Sequence, residues 1–454
     1  MNSLFYSLGV RVKEATTNKL LFVASIAILL STAIGALAPI NILYIAALVA
    51  LPFIPYILNP NAYFLVSFFL SSIYVKYLLF FVDGIAYGWL DNVVKCLFLF
   101  VMGLFMIWIG LREKKEIKYP IYSVFFLFSL IFMIIPVVQA ASFQDAFYFT
   151  KITTPFLLFV SVLMFYDKID WNKMYGWFRL LLFLTLIFSI YQVTLGEAAP
   201  SDVPRASGLT PSRNTFSMFM VMLFDFIFII NAIRKNNKLS FFDGILLVLI
   251  VLLDFIGFSR GAWAVMGGTI LFLLIRERKF LLIAFLSSVC VGIAYVFREQ
   301  IQLRLISGYG TGKNRSLVTD MLMEKGMESP LIGHGFGWSQ MFMFDGHGST
   351  AQPHNDFVRL FVDMGMLGLL LFLIPYILIM FRMLRIMFVA RVKYVKTIAF
   401  VTILSVIQIL SFMSVYNVID MFYATTSYVW LFAAVTEMEF SKNREGVRRQ
   451  FPNY

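Results

Sequence analysis

Charged residues are scarce in this chain. They make up 14% of its 454 residues, whereas 60% are hydrophobic; soluble domains carry about 25% charged and about 45–50% apolar residues. The apolar residues lie in runs long enough to cross a bilayer, which takes about 20 residues per helix. The composition therefore argues against a soluble domain and predicts an all-α polytopic membrane protein, with residues 1–454 forming a single membrane domain.

Cysteine is almost absent as well. Cys96 and Cys290 both lie inside apolar runs, so they provide neither a disulfide framework nor a thiolate metal site. Only three histidines occur, and their spacings of thirteen and seven residues fit no standard zinc template. We therefore expect no metal and no other cofactor.

About fourteen segments are predicted to span the membrane, with a range of 12–14 because one apolar run is short. The predicted spans are 20–38, 40–58, 62–82, 93–111, 120–138, 148–166, 176–196, 214–233, 240–257, 262–275, 279–297, 357–381, 396–416 and 420–437. One large hydrophilic loop, 298–356, interrupts the series and is expected to contain short helices.

The net charge of +12 does not indicate a nucleic-acid partner, because the basic residues sit mostly in short loops between apolar runs. The basic residues lie in every second loop and near both termini. By the positive-inside rule, these loops and both termini are predicted to be cytoplasmic. The opposite, external face carries a few concentrated basic residues. They are Arg205 and Arg213 in the loop 197–213, Arg260, and Arg298, Arg304, Lys313, Arg315 and Lys325 in the large loop. An anionic ligand is the simplest explanation for them.

All three histidines, His334, His347 and His354, fall in the large loop. A neutral imidazole is the commonest general base, so one of them is a candidate base. The run Gly333–Gly337 looks like a glycine-rich phosphate loop, but it follows no predicted strand, and a flexible turn is the preferred interpretation. The segment 316–325 is predicted to be a short helix that would place Arg315 at its start, where backbone N–H groups favour an anion. Its apolar face is expected to consist of Leu317, Met321 and Leu322.

Four motifs together resemble those of the O-antigen ligase and polymerase superfamily. The most specific is Pro353-His354-Asn355, followed by nine residues and then Gly365-Met366-Leu367-Gly368. The other three occur in the family's order. They are Arg205-Ala-Ser-Gly-Leu209, Ser259-Arg260-Gly261, and Arg315 followed by a helix and Pro330-Leu-Ile-Gly-His-Gly-Phe-Gly337. The motifs cover about residues 200–380, and the tryptophan that family members often carry after the arginine is absent near Val318 and Thr319.

The resemblance implies a C-type membrane glycosyltransferase that is metal-independent and inverting. Its donor would be an oligosaccharide on undecaprenyl diphosphate, and its acceptor a second lipid-linked repeat unit or a lipid A core. His354 would be the catalytic base, and Arg205, Arg315 and Arg260 would bind the diphosphate. The secondary candidates are Arg304, His347, His334 and Asn355.

The same resemblance implies a bacterial inner membrane location, with the active site on the extracytoplasmic side. The expected partners are the lipid bilayer and the lipid-linked glycan, with a chain-length regulator and a flippase as further candidates. A transporter or lipid flippase is the rival hypothesis, since ionisable residues inside the membrane often mark a transport path. Those within the apolar runs are Lys76, Lys95, Lys151, Arg179, Asp225, Asp254 and Asp363.

Overall fold

The computed structural model describes residues 99–113 (without 101 and 105), 120–140, 148–194, 213–257, 259–281, 316–342, 354–416, 418–419 and 425–450, with scattered residues between 284 and 302. All regular elements in these ranges are helical, which confirms the all-α prediction. The predicted spans 20–38, 40–58 and 62–82 lie outside the described residues, so the helix count stays a prediction. The same holds for the extent of the large loop, of which residues 316–342 and 354–356 are the continuously described parts.

The helices are numbered here in chain order. Their bounds are α1 Met102–Arg112, α2 Ile121–Phe132, α3 Ile134–Val138, α4 Tyr148–Phe165, α5 Trp171–Thr194, α6 Arg213–Lys235, α7 Phe241–Ile256, α8 Arg260–Arg276, α9 316–326, α10 Trp338–Phe342, α11 Asp356–Val389, α12 Lys393–Met413 and α13 Thr426–Gln450. A 3-10 turn, Tyr166–Lys168, follows α4.

Six segments in the described part are long and apolar enough to cross a membrane: α2 with α3, α4, α5, α6, α11 and α12. The outer faces of α2 and α5 expose large apolar side chains, with Phe128 59% and Phe183 57% exposed. Such surfaces are stable when they face lipid, and helices satisfy their own backbone groups there. The chain is therefore an integral membrane protein.

The two helices α7 and α8 coincide with the predicted spans 240–257 and 262–275. They contain 16 and 17 residues, which at about 1.5 Å per residue gives roughly 24–26 Å. Each is thus slightly shorter than the hydrocarbon core of about 30 Å. Ser240 caps α7 through a capping box with Asp243, so the start of this helix is fixed by its own side chains.

An aromatic cluster around Trp430 of α13 lies where α2, α4, α11 and α13 meet. The indole is fully buried, and its ring centroid lies 4.8 Å from that of Phe126, 5.3 Å from Phe159, 5.6 Å from Phe156 and 6.0 Å from Tyr376. These rings come from α2, α4 and α11, so one side chain joins four helices. Edge-to-face pairs of this kind add to the energy of area burial.

Two of the predicted intramembrane charges, Asp225 and Asp363, have polar partners inside the bundle. Asp225 of α6 accepts a hydrogen bond from the Ser405 hydroxyl of α12 at 2.6 Å. One turn further along α12, the Gln408 amide donates to the Thr269 hydroxyl of α8 at 2.8 Å. These contacts join helices, as buried polar groups must do when no water is present.

Polar contacts gather the basic connections at one end of the bundle, which we call the basic end. The contacts are Lys168 with Glu113, Lys442 with Asp167, Arg234 with Asn172, Lys393 with Glu277, and Arg382 with Glu437. The charge pattern predicts that these basic loops share one face, and the described ones do. Which side of the membrane they occupy stays a prediction.

We expect Trp430→Ala to destabilise the protein by about 3–5 kcal/mol, because it removes a buried aromatic side chain and leaves a cavity. Trp108→Ala is the matched control, since Trp108 is 52% exposed. The measurement is the thermal unfolding midpoint of both purified variants in the same detergent. Equal shifts in the two variants would contradict the central role of the Trp430 cluster.

Candidate active site

Helix α11 is broken at Gly365, where the backbone has φ 70° and ψ −178°. The break releases backbone groups that a continuous helix would pair within itself. Two amides after the break donate elsewhere: Met366 N to the Pro330 carbonyl at 2.8 Å, and Leu367 N to the Leu331 carbonyl at 3.2 Å. The carbonyls of residues 330 and 331 therefore take the place of the helix carbonyls that these two amides would otherwise bond.

The carbonyls before the break are paired with the same segment of chain. Val362 O accepts from His334 N at 3.0 Å, and Asp363 O accepts from Gly335 N at 2.9 Å. Four backbone hydrogen bonds thus join the broken helix to residues 330–335. Because unpaired backbone groups are costly in a membrane protein, the motif Pro330–Gly337 and the motif around Gly365 form one structural unit.

Glycine is required at two facing positions of this unit. A Cβ at Gly365 would overlap the Leu331 carbonyl, and a Cβ at Gly333 (φ +74°) would lie 2.5 Å from the Asp363 carbonyl carbon. Both residues also have positive φ, a conformation that costs other residues energy. The second motif glycine, Gly368, is needed for close packing, because a Cβ there would meet the side chains of Met364 and Phe132.

The start of α11 is fixed by Asn355. Its Oδ1 accepts hydrogen bonds from Phe357 N at 3.0 Å and Val358 N at 3.3 Å, which makes it the N-cap of the helix. The neighbouring Asp356 carboxylate accepts from Ile419 N at 3.0 Å and also from Val418 N. Both ends of the motif are therefore explained: Asn355 begins the helix, and Gly365 breaks it.

His354 is half-buried and directly precedes this cap. The simplest structural role for a histidine here would be to cap the helix, but Asn355 has that role. The cap and the Asp356 contacts with residues 418–419 hold the backbone on which the imidazole is carried. His354 thus lies at the end of the bundle opposite the basic end.

The Ser259-Arg260-Gly261 turn lies at the same end as His354. The Ser259 hydroxyl is 2.8 Å from the Tyr416 hydroxyl, and a Cβ at Gly261 would lie 2.9 Å from the Tyr416 ring. Arg260 begins α8 and is exposed. Since Tyr416 is two residues before Val418, the segment 416–419 contacts both the Arg260 turn and the start of α11.

Arg359 and Asp363 form a buried pair that the sequence analysis only half identified. Arg359 Nε lies 3.9 Å from Asp363 Oδ2, and the two side chains are 1% and 2% exposed. The Asp363 carboxylate also accepts from Ser339 N at 2.9 Å and from Gly337 N at 3.4 Å. Asp363 therefore holds the start of α10 in place. The sequence-based prediction includes Asp363 but not Arg359, although an ionisable residue within the apolar run 357–381 is itself the signal.

The glycine-rich turn Gly333–Gly337 is a packed connection rather than a phosphate cradle. Its amides donate to protein carbonyls and to Asp363, and Phe336 N donates to Pro136 O at 3.0 Å. Amides used in this way are not presented to a phosphate. The prediction of a turn is confirmed, although its flexibility is not supported, because Gly335 at φ +105° packs directly on the Gln139 backbone.

His334 is part of the same packed connection. Its Nε2 lies 3.0 Å from the Lys325 carbonyl oxygen, and its ring stacks on Trp338 with centroids 4.4 Å apart. Because a carbonyl oxygen only accepts, Nε2 is the donor in this hydrogen bond. His334 therefore has a structural role that explains its presence.

The predicted short helix is present as α9, but its buried face differs from the prediction. Val318 and Leu322 pack against Val358, Phe361 and Val362. Leu317, which was expected on the apolar face, is instead 60% exposed. The prediction grouped the apolar residues by their spacing in the sequence. The surface of α11 instead buries Val318 in place of its neighbour Leu317.

A surface ion pair lies at the C-terminal end of α9. Lys325 Nζ lies 2.6 Å from Glu328 Oε1, and their hydrogen bond raises the pKa of Lys325 and lowers that of Glu328. Both groups are at the surface, where such pairs contribute little to stability. Lys325, one of the external basic residues, is therefore occupied by a local carboxylate.

Four predicted site residues, Arg205, Arg304, Arg315 and His347, lie outside the described residues. Arg315 directly precedes the first described residue of α9. Within the described part of the chain, no group of three His, Cys, Asp or Glu side chains is arranged to hold a metal ion. The described candidates are thus His354, Asn355, Arg260 and His334, of which the first three lie around the segment 416–419 and the start of α11.

Residues 245–373 match the model of the O-antigen ligase family. This range contains the Arg260 turn, the Pro330–Gly337 connection and the broken α11. This match places the segment 245–373 in the O-antigen ligase and polymerase superfamily. It indicates glycan transfer of the ligase or polymerase type from a lipid-linked substrate in a membrane. The comparison with curated proteins gave no match.

We expect Gly365→Ala to abolish activity and to destabilise the protein by at least about 1–3 kcal/mol, because the change imposes backbone strain at the break. The matched control is Gly267→Ala in α8, where a Cβ meets no atom within 4 Å. Activity and thermal midpoint are measured side by side. A Gly365→Ala protein as active and stable as Gly267→Ala would show that the break is dispensable.

Proposed function

We propose that this protein is a metal-independent, inverting glycosyltransferase. It would move a glycan from undecaprenyl diphosphate to an acceptor hydroxyl on the extracytoplasmic side of the membrane. The observation that carries the proposal is that neighbours of His354 and of Arg260 contact one short segment, at the end of the bundle away from the basic end. Asp356 accepts from Val418 N and Ile419 N, and Ser259 and Gly261 pack on Tyr416. The family match supports the reaction class, and the shared contacts with residues 416–419 support the choice of residues.

The reaction has two chemical demands. The acceptor hydroxyl must lose a proton as it attacks the anomeric carbon, and the C–O bond to the diphosphate must break. His354, as neutral imidazole, would take the proton. Guanidinium groups of Arg260, Arg205 and Arg315 would stabilise the charge that develops on the leaving diphosphate, because arginine stays charged and binds phosphate oxygens in a bidentate manner.

The acceptor decides the physiological product. In a polymerase the acceptor is a second lipid-linked repeat unit, and in an O-antigen ligase it is a lipid A core. We favour the polymerase, since no feature of the sequence points to recognition of a lipid A core. A chain-length regulator and a flippase are proposed partners, because a polymerase consumes translocated units and its product length must be set.

We predict that His354→Ala lowers turnover by about 10²- to 10⁴-fold, the usual contribution of a positioned base. Donor binding and membrane insertion should be retained. The measurement is product formation by the purified protein with a defined undecaprenyl-diphosphate glycan, alongside donor binding by the same sample. Lys238→Gln, at the basic end, is the control. Full activity of His354→Ala would remove this residue as the base.

For the arginines, we predict that Arg260→Gln, Arg205→Gln and Arg315→Gln each weaken donor binding or turnover. Replacement by Lys should restore only part of the effect, because an ammonium keeps the charge but lacks the bidentate geometry. Arg112→Gln, at the basic end, is the matched control for loss of one positive charge. Unchanged kinetics in all three Gln variants would reject the diphosphate clamp.

Metal independence has its own test. Activity should survive thorough chelation, because the proposed site neutralises the leaving diphosphate with guanidinium groups. Loss of activity that a single divalent ion restores would reverse this part of the proposal.

A further inference from the structure

A cationic cavity lies at the basic end, roughly 25 Å along α11 from the break at Gly365 to Arg382. There the end of α11, the connection to α12 and the outer part of α13 line a half-open cavity of about 280 Å³. Its polar lining consists of Arg382, Arg385, Arg391, Asn443 and Arg444. The volume is just below the range of about 300–1,000 Å³ for pockets that enclose whole small molecules, so it suits a headgroup.

The arginines of this cavity are unequally neutralised. Arg382 makes a bidentate pair with Glu437, with both N–O distances 2.8 Å. Among the described residues, no carboxylate forms an ion pair with Arg385, Arg391 or Arg444. These three side chains line the cavity and are exposed, so an anion can reach them from outside and is attracted by each of them. The cavity is therefore suited to a ligand with more than one negatively charged oxygen.

The surface around the cavity indicates that the anion carries acyl chains. The final turns of α11 expose Phe381 (62%), Phe388 (76%) and Val389 (59%), and Val389 also lines the cavity. An apolar face that runs into a cationic pocket at the end of a membrane span matches a phospholipid, whose phosphate lies at that depth and whose chains lie along the helix. A soluble phosphate compound would leave the apolar face unused.

We propose that this cavity binds the headgroup of an anionic phospholipid. Arg385, Arg391 and Arg444 hold the phosphate, and the acyl chains lie against Phe381 and Phe388. The bound lipid joins α11, α12 and α13 at the basic end. The proposal is independent of the glycan-transfer chemistry, because it uses the opposite end of α11 and none of the residues assigned to that reaction.

The test is a binding titration of the full chain in neutral detergent. The probes are dioctanoyl phosphatidylglycerol, dioctanoyl phosphatidylcholine and glycerol phosphate, and the readouts are the dissociation constant and the shift in thermal midpoint. The triple variant Arg385→Gln, Arg391→Gln, Arg444→Gln removes the cavity charge. The triple variant Arg112→Gln, Lys238→Gln, Lys279→Gln removes the same charge from equally exposed positions at the same end that do not line the cavity.

Phosphatidylglycerol should bind more tightly than phosphatidylcholine. The cavity variant should lose this binding roughly fivefold for each arginine and on the order of a hundredfold in total, while the control variant should keep it. Equal loss in both triple variants would show a general surface attraction and would overturn the site. Glycerol phosphate binding as tightly as phosphatidylglycerol would overturn the lipid assignment. The thermal midpoint without lipid shows whether the variant folds. If the triple cavity variant does not fold, Arg385→Gln alone takes its place. A fivefold loss of phosphatidylglycerol binding in that single variant would then support the site, and unchanged binding would overturn it.

Discussion

The hydrogen bonds across the break in α11 are the constraint on which the rest of the site depends. Once Gly365 turns the chain out of the helix, two amides and two carbonyls must be paired within the protein, because the break is buried and an unpaired buried backbone group is costly. Residues 330–335 pair all four. The connection between α9 and α10 is thereby fixed against α11, and a break that would be costly in isolation becomes part of a defined structure.

Several features follow from that pairing. The carboxylate of Asp363 lies at the break and reaches the amides of Gly337 and Ser339, so the first turn of α10 is set by the same helix. Phe336 N donates to Pro136 O, which extends the contact to α3. At the start of the broken segment, Asn355 and Asp356 fix the backbone beside His354. A residue proposed to move a proton therefore sits next to rigid structure on the side where Arg260 is exposed.

The sequence was informative where a pattern has a single physical cause. Long apolar runs predicted the spanning helices. The spacing from Asn355 to Gly365 was identified through the family resemblance, and the structure explains it as a cap and a break. Alternating basic loops predicted the basic end. The sequence was less informative where packing decides. Leu317 and Val318 are both apolar, and only the surface of α11 selects Val318 for burial. The glycines of 333–337 suggested flexibility, whereas their positive φ values serve close backbone contact.

The central claim is that the site around His354 forms a glycosidic bond at the expense of a lipid diphosphate. The most direct measurement gives the purified full chain a single defined undecaprenyl-diphosphate repeat unit and examines the lipid-linked products by mass spectrometry. We predict products longer by whole repeat units, together with released undecaprenyl diphosphate. Movement of the lipid-linked unit across sealed vesicles with no new glycosidic bond, either to a second unit or to an added lipid A core, would contradict the account.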